Sequence, residues 1–163
     1  MRDMYNPSAS VVLLAQSAVP VLLTGTTVET LMAEILIPGG VMGPHGSLEI
    51  WTIWSCTNNA NSKTPRLRWS GPAGGEMFNT VLASVSSLNL MSSLTNRGSE
   101  SSQVQGHRAL TSFASSSGGL FTWTVDTRVD QTIALSGELA NAGDSLTLER
   151  YSIKLARFLP PGR

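Results

Sequence analysis

The sequence is poor in charged residues, and its few charges balance. Only 13% of its 163 residues are charged, and 11 basic residues offset 11 acidic ones, so the formal net charge is zero. Proteins that bind nucleic acid or anionic membranes usually carry a basic patch or stripe. The composition therefore argues against nucleic acid and membrane partners.

Cysteine and long apolar runs are also scarce. Cys56 is the only cysteine, so an intrachain disulfide is excluded, and we expect a small buried side chain rather than a reactive thiol. The apolar run from Val11 to Leu23 is interrupted by Gln16, Ser17 and Pro20 and is too short to span a bilayer. No secretory leader is recognisable at the N-terminus, which predicts synthesis in the cytoplasm.

What the sequence does contain is a series of strand-length apolar runs separated by Gly, Pro, Asn and Ser clusters. About eight or nine strands with turn signals at this spacing predict an all-β fold, a two-sheet antiparallel sandwich. We expect residues 1–10 to form a short N-terminal arm and residues 11–163 to form one domain. The pattern does not by itself select a topology within the sandwich class.

Five stretches show strand patterns most clearly: Thr30–Ile37, Leu48–Ser55, Leu120–Asp126, Val129–Leu135 and Ser145–Phe158. In the first, the odd-numbered residues from Leu31 to Ile37 are apolar and should share the buried face. The second is apolar on both faces, which predicts a central strand covered on both sides. The last changes phase midway, which predicts a β-bulge near Glu149 and Arg150.

The stretch from Phe78 to Met91 is ambiguous. Its apolar residues recur at helical spacing, but its threonine, valines and serines are poor helix formers. We predict two strands here, with one helix as the alternative. The polar stretches Asn58–Thr64 and Ser92–Gln103 are expected to be exposed loops, the second of them mobile.

A search for catalytic and metal-binding patterns is mostly negative. The chain has no nucleophile elbow, P-loop or dinucleotide fingerprint. His45 lies in a predicted turn and His107 at a predicted strand start, and neither has the spacing of a metal ligand. We interpret Asp126 and Asp130 as turn residues rather than as a calcium or glycosidase pair. We therefore predict a protein without catalytic residues, cofactor or metal, and not an enzyme.

Tryptophan and arginine offer the best candidates for an interaction surface. Trp69 follows Arg66 and Arg68 at a predicted strand end and is expected to be partly exposed. Because Arg and Trp are enriched at binding hot spots, we predict an interface at these three residues. The alternatives are a solvated strand face for the arginines and a sugar-stacking role for Trp69. The remaining tryptophans lie inside apolar runs and are expected in the core: Trp51, Trp54 and Trp123.

Several strings together resemble a group of small phage-encoded virion structural proteins. They occur in the same order between Val19 and Leu155, and they consist of strand and turn motifs without chemistry: Gly46–Ser55, Asn58–Lys63, Arg66–Arg68, Thr124–Thr127, Asp130–Ile133 and Leu139–Glu149. In the last string, Asn141 and Asp144 should bond to nearby backbone and Gly143 should adopt a positive φ, giving a tight connection between strands.

The resemblance implies a jelly-roll fold and a place in the virion. Our first expectation is a capsid decoration (cement) protein that binds the major capsid protein and self-associates as a homotrimer. The alternative is a receptor- or glycan-binding module of the tail or fibre. The resemblance supplies no catalytic residues.

Overall fold

The computed structural model describes residues 9–106 and 119–158, and within these ranges the chain forms strands and turns. The predicted all-β class is confirmed. The eleven strands are β1 (Ala9–Ser17), β2 (Val21–Leu23), β3 (Thr30–Ile37), β4 (Ser47–Cys56), β5 (Lys63–Trp69), β6 (Gly75–Asn79), β7 (Ser87–Asn96), β8 (Gln103–Gln105), β9 (Phe121–Trp123), β10 (Gln131–Leu139) and β11 (Leu146–Phe158). No helix in the described part of the chain is long and apolar enough to cross a bilayer.

The strand count is higher than expected because three of the strands are very short. β2, β8 and β9 have three residues each, and the other eight have five or more. At the N-terminus, β1 begins at Ala9, so Ala9 and Ser10 belong to the sheet rather than to the predicted arm. Residues 1–8 of that arm lie outside the described residues.

The strands pair in a nested order. β11 pairs with β1 and β2, β10 with β3, β7 with β4 and β6 with β5, all antiparallel. The paired strands are divided between two sheets. The larger sheet has the strand order β1-β11-β4-β7-β8-β9, with β2 also beside β11, and the smaller sheet has the order β3-β10-β5-β6. This is the pairing of a jelly roll, and β8 and β9 extend the larger sheet beyond it.

The core lies between the sheets, and strands such as β4 and β5 contribute alternate residues to it. On β4, Leu48, Ile50 and Trp54 are buried against the smaller sheet, at 0%, 2% and 1% exposure. Trp51 and Ile53 have the opposite phase and are only half-buried. The expectation that β4 is covered on both sides is therefore wrong. The second sheet packs on one face only, which leaves Trp51 on the outside.

Four pairs of described strands show a register shift: β1–β11, β3–β10, β4–β11 and β5–β6. Two of these shifts bear on the predictions from the sequence. In β11 the register shifts between Leu148 and Arg150, which confirms the bulge predicted there. In β3 the pairing with β10 skips Met32, so that Met32 is buried while Leu31 is 43% exposed. The prediction that Leu31 faces the core is wrong. A bulge at this point exchanges which of the two neighbouring apolar residues turns inward.

The ambiguous stretch folds as β6 and β7, which confirms two strands rather than one helix. The predicted loop Ser92–Gln103 is wrong over part of its length, because β7 continues to Asn96 and Gln103 begins β8. Likewise Leu120–Asp126 contributes only the short β9. Val129 lies in the following connection, 55% exposed, and β10 begins two residues later.

A buried polar cluster joins the β4–β5 loop to the β10–β11 turn. The Asp144 carboxylate accepts hydrogen bonds from the side-chain amides of Asn59 (2.6 Å) and Asn61 (2.9 Å). The fully buried Lys63 ammonium donates to Asn59 Oδ1 (2.5 Å) and to the Asn61 carbonyl (2.8 Å). Gly143 donates to Asn141 Oδ1 at 2.8 Å, as expected of a tight turn, but its φ is not positive. Two of the strings in the sequence resemblance thus meet in one structural feature.

Candidate interaction surfaces

The three predicted interface residues lie on opposite faces of β5. Trp69 is 0% exposed and belongs to the core, so the expectation that it is partly exposed is wrong. Strand alternation gives the reason: Arg66 and Arg68 point outward, which turns Leu67 and Trp69 inward. A sugar cannot reach the Trp69 ring in this fold. An interface role for the arginines stays a prediction.

Arg66 and Arg68 are not a solvated face but the centre of a cluster with three carboxylates. Arg68 binds Glu29 through two hydrogen bonds of 3.0 Å each, from Nε and Nη2. Arg66 Nη2 lies 2.6 Å from Glu138 Oε2, and Arg66 Nε lies 3.3 Å from Glu76 Oε2. The two arginine side chains are only 17% and 18% exposed. The ion pairs of this cluster connect side chains across the outer face of the smaller sheet.

Within this cluster, the contact between Glu29 and Arg68 favours the charged forms of these two side chains. The hydrogen bond from Arg68 is the main cause of the lowered pKa of Glu29, partial burial opposes it, and a hydrogen bond from Ser136 adds to it. The same pair raises the pKa of Arg68. Paired charges of this kind hold strands together.

The residues considered for catalysis do not assemble into a reactive site in the described structure. His45 is exposed in its turn, and His107 lies outside the described residues. Arg128 donates to both carboxylate oxygens of Asp126 at 2.8 Å and lowers the pKa of Asp126 to about 2. Asp130 accepts the Gly39 N–H at 2.8 Å. Both aspartates thus have the turn role inferred from the sequence.

Cys56 and the acidic residues give no second candidate. Cys56 is half-buried at the end of β4, where its thiol lies 3.3 Å from the Val85 carbonyl, and burial raises the pKa of the thiol. A raised pKa lowers the fraction of reactive thiolate. Across residues 9–106 and 119–158, no three His, Cys, Asp or Glu side chains are grouped closely enough to hold a metal ion.

The outer face of the larger sheet carries a tryptophan that the sequence analysis assigned to the core. Trp51 projects from β4 between Met91 of β7 and Ser152 of β11. The Arg150 guanidinium lies over the indole ring, 4.4 Å from its centroid, and the indole N–H donates to Asn89 Oδ1. The sequence feature that could have placed Trp51 on the outside is its position in the strand alternation, on the face opposite to that of Leu48, Ile50 and Trp54.

A groove of about 250 Å³ opens beside Trp51. Its lining residues come from the three central strands β4, β7 and β11: Glu49, Ile50, Trp51, Met91, Ser92, Ser93, Ser152 and Lys154. Met91 is 73% exposed. We call this site the Trp51 groove. It combines apolar surface with hydroxyl, carboxylate and ammonium groups.

A second surface is the free edge of β1. This strand pairs with β11 on one side, and no described strand pairs with the other. Val11, Val12 and Leu13 are 70%, 41% and 48% exposed. An edge strand with free N–H and C=O groups and apolar side chains is a template for pairing with another chain.

In comparisons with known proteins, no family model and no curated protein matches the chain. Among solved structures, it is similar to the CBM2 module of the evolved Dit of Lactobacillus casei BL23 phage J-1, with 12% identity, a TM-score of 0.41, and 78% of this chain and 70% of that one covered. For a winged bean acidic lectin complexed with methyl-α-D-galactose, the identity is 12%, the TM-score 0.37 and the coverage 96% and 95%. For the VP2 subviral particle of infectious bursal disease virus, the identity is 9% and the TM-score is 0.30, and the match covers 94% of this chain and 38% of that one. All three TM-scores lie below 0.5, so no function or residue role is transferred from these proteins.

Proposed function

We propose that this chain is a non-enzymatic structural protein of a bacteriophage particle, and that it decorates the head by binding the major capsid protein. The phage assignment depends on the sequence resemblance described above. The observation that supports an assembly role is the free, apolar edge of β1. Synthesis in the host cytoplasm and a final place in the virion follow from the proposal.

The edge of β1 lacks most of the features by which proteins usually protect an exposed strand. Natural edges are short, carry lysine, proline or other charges, or contain β-bulges. β1 has nine residues, with no charge and no proline, and its register with β11 shifts at one point only. By contrast, β9 has three residues, β6 carries Glu76 and β3 carries Glu34. We infer that β1 is covered by another chain in the assembled state.

The cover that we propose is another copy of this chain, in a homotrimer, with the capsid protein bound at a further surface. A trimer needs a head-to-tail contact in which β1 of one copy lies against a different surface of the next, whereas pairing of two β1 strands gives a twofold dimer. On a head, weak contacts repeated over many copies add up through avidity. The low charge of the chain fits a protein whose surface is largely shared with neighbours.

The β1 edge is tested by placing lysines on it. Val11 and Leu13 lie opposite Ala156 and Lys154 and are largely exposed, so Val11→Lys with Leu13→Lys should leave the fold intact. We expect the wild-type chain to have the mass of a trimer in light scattering and the double variant that of a monomer. The far-UV circular dichroism spectrum of the variant should be unchanged, whereas its thermal midpoint should be lower because self-association stabilises the folded state. Val28→Lys with Val81→Lys adds the same charge at exposed positions outside the strands and should leave the trimer intact.

The particle is tested separately with gold-labelled antibody raised against the chain. Label over the whole head of the phage that encodes it, lost with the β1 variant and kept with the control, is the expected result. A monomeric wild-type chain would contradict the role of β1. Absence of the chain from purified particles would remove the virion role altogether, and label at the tail tip would favour the receptor-binding alternative.

A further inference from the structure

We propose that the Trp51 groove binds a saccharide, with one pyranose ring stacked on the indole of Trp51. This inference goes beyond the assembly role and does not depend on it, because the groove is on the outer sheet face and not at the β1 edge. Trp69 is buried and cannot stack on a sugar, whereas Trp51 is reached by solvent.

The indole of Trp51 is held in position before any ligand arrives. Arg150 covers one of its faces at 4.4 Å, and the indole N–H is already bonded to Asn89. The ring therefore offers a ligand its remaining face rather than a hydrogen-bond donor. The C–H bonds on one side of a pyranose carry partial positive charge and pack on the negative face of an aromatic ring. A platform that is already fixed loses little conformational entropy on binding.

The walls of the groove supply the polar groups that sugar hydroxyls need. Glu49 and Lys154 are direct cross-strand partners, and both are exposed. Among the described residues, no ion pair within 4.0 Å joins either of them to another side chain. A carboxylate accepts two hydrogen bonds from neighbouring hydroxyls, and an ammonium donates up to three. Ser93, opposite Glu49 on β7, adds a group that both donates and accepts.

The size and composition of the groove favour a saccharide over a protein partner. At about 250 Å³ it falls just below the usual ~300–1,000 Å³ range of small-molecule pockets, which suits one sugar ring. Protein interfaces are depleted of charged residues at their centre, whereas this groove has Glu49 and Lys154 in its lining. One ring in a shallow groove binds weakly, and display of several copies on one particle would strengthen attachment through avidity.

The test uses the whole chain on an array of pyranose-containing glycans, followed by titration calorimetry with the best-bound glycan. Trp51→Ala should weaken binding by about tenfold or more, because it removes the stacking face. Ser93→Tyr is a second variant that fills the groove from an exposed position without touching the core. Leu36→Ala removes an exposed apolar side chain (56%) from the smaller sheet and should bind like the wild type.

Two results would overturn the proposal: no glycan bound above background by the wild-type chain, or binding that survives both Trp51→Ala and Ser93→Tyr. Thermal midpoints of all variants show whether a loss of binding reflects unfolding. Val11 lies opposite Ala156 and not opposite the groove residue Lys154, so Val11→Lys alone should keep its single-site affinity in calorimetry while weakening self-association. Failure of glycan binding and failure of the assembly role are therefore seen in different measurements.

Discussion

At the scale of single residues, the position of Gly75 shows how tightly the two sheets are packed where β6 of the smaller sheet meets β9 of the larger sheet. Gly75 lies opposite Trp69 in the smaller sheet. The indole of Trp123, from the last strand of the larger sheet, occupies the space where a Gly75 side chain would be. A Cβ built there would lie 2.1 Å from the Trp123 ring. The indole N–H of Trp123 donates to Gln105 at 3.1 Å, which limits how far the ring can retreat.

Gly75→Ala should therefore destabilise the fold by about 1–3 kcal/mol, the usual cost of overpacking a well-filled site. Urea denaturation followed by tryptophan fluorescence measures the change. Gly119→Ala is the matched control, because a Cβ at Gly119 meets no atom of the described residues within 4 Å and no positive φ is recorded for it. Equal stability of Gly75→Ala and Gly119→Ala would show that Trp123 does not fill this space in solution.

The two tryptophans that were wrongly assigned, Trp69 and Trp51, differ in how clearly the sequence marks their strand phase. The alternation of Arg66 and Arg68 already placed Trp69 on the opposite face, so its burial was implied by the sequence. Trp51 was harder to assign, because β4 is apolar on both faces and nothing in the sequence says that the second sheet covers only one. The surface tryptophan became visible only when the two sheets were placed.

At the scale of strands, the bulge in β11 was predictable and the bulge in β3 was not. Leu146 and Leu148 on one side of Glu149, and Tyr151 and Ile153 on the other, alternate with opposite phase, so the sequence itself requires an extra residue. At the β3 bulge, Leu31 and Met32 are both apolar. The hydrophobic pattern is therefore the same whether Leu31 or Met32 faces the core, and only the pairing with β10 reveals the shift.

The strands of the smaller sheet are also held by charge, which gives a prediction at this scale. Arg68 binds Glu29 with two parallel hydrogen bonds in a half-buried setting. Lysine keeps the charge but has no planar fork, so Arg68→Lys should lower the free energy of unfolding by about 1–2 kcal/mol. The comparison is Arg128→Lys, which breaks the same two-bonded geometry with Asp126 where the arginine is 66% exposed.

Exposed ion pairs contribute little to stability because water and salt screen them. We therefore expect only a small effect of Arg128→Lys in the same urea titration, and a clear separation of the two variants. If Arg68→Lys is as stable as Arg128→Lys, the cluster does not hold the smaller sheet, and Arg66 and Arg68 are free to act as interface anchors.

At the scale of the whole molecule, the sequence predicted the sandwich but not the order of its strands. The nested pairing joins segments far apart in the chain, such as β2 with β11 and β3 with β10. No local pattern encodes such contacts, and the jelly roll came from the resemblance alone. The polar cluster of Asn59, Asn61, Lys63 and Asp144 illustrates the point, since its two halves are separated by most of the domain.

That cluster, with two other acids, sets how the whole fold should respond to acid. The pKa of Asp144 is lowered from 3.8 by hydrogen bonds from Asn59 and Asn61 and by the nearby Lys63. The pKa of Glu29 is also lowered, and that of Asp126 falls to about 2. A carboxyl whose pKa is lower in the folded state stabilises the fold above its unfolded pKa, and this contribution is lost as the pH falls through the folded pKa. The free energy of unfolding should thus be flat near neutral pH and fall below about pH 4–5.

Asp144→Asn isolates the share of one acid in that response. At neutral pH the variant should be less stable than the wild type, because the buried Lys63 ammonium loses its nearby negative charge. In strong acid the Asp144 carboxyl is itself protonated, so the two proteins should approach each other in stability. Urea titrations from pH 7 to about pH 2 measure this convergence. Glu34→Gln removes one exposed carboxylate outside the cluster and controls for the loss of charge alone. Parallel wild-type and Asp144→Asn profiles would mean that the cluster holds the two loops through amide hydrogen bonds and not through the charge of Asp144.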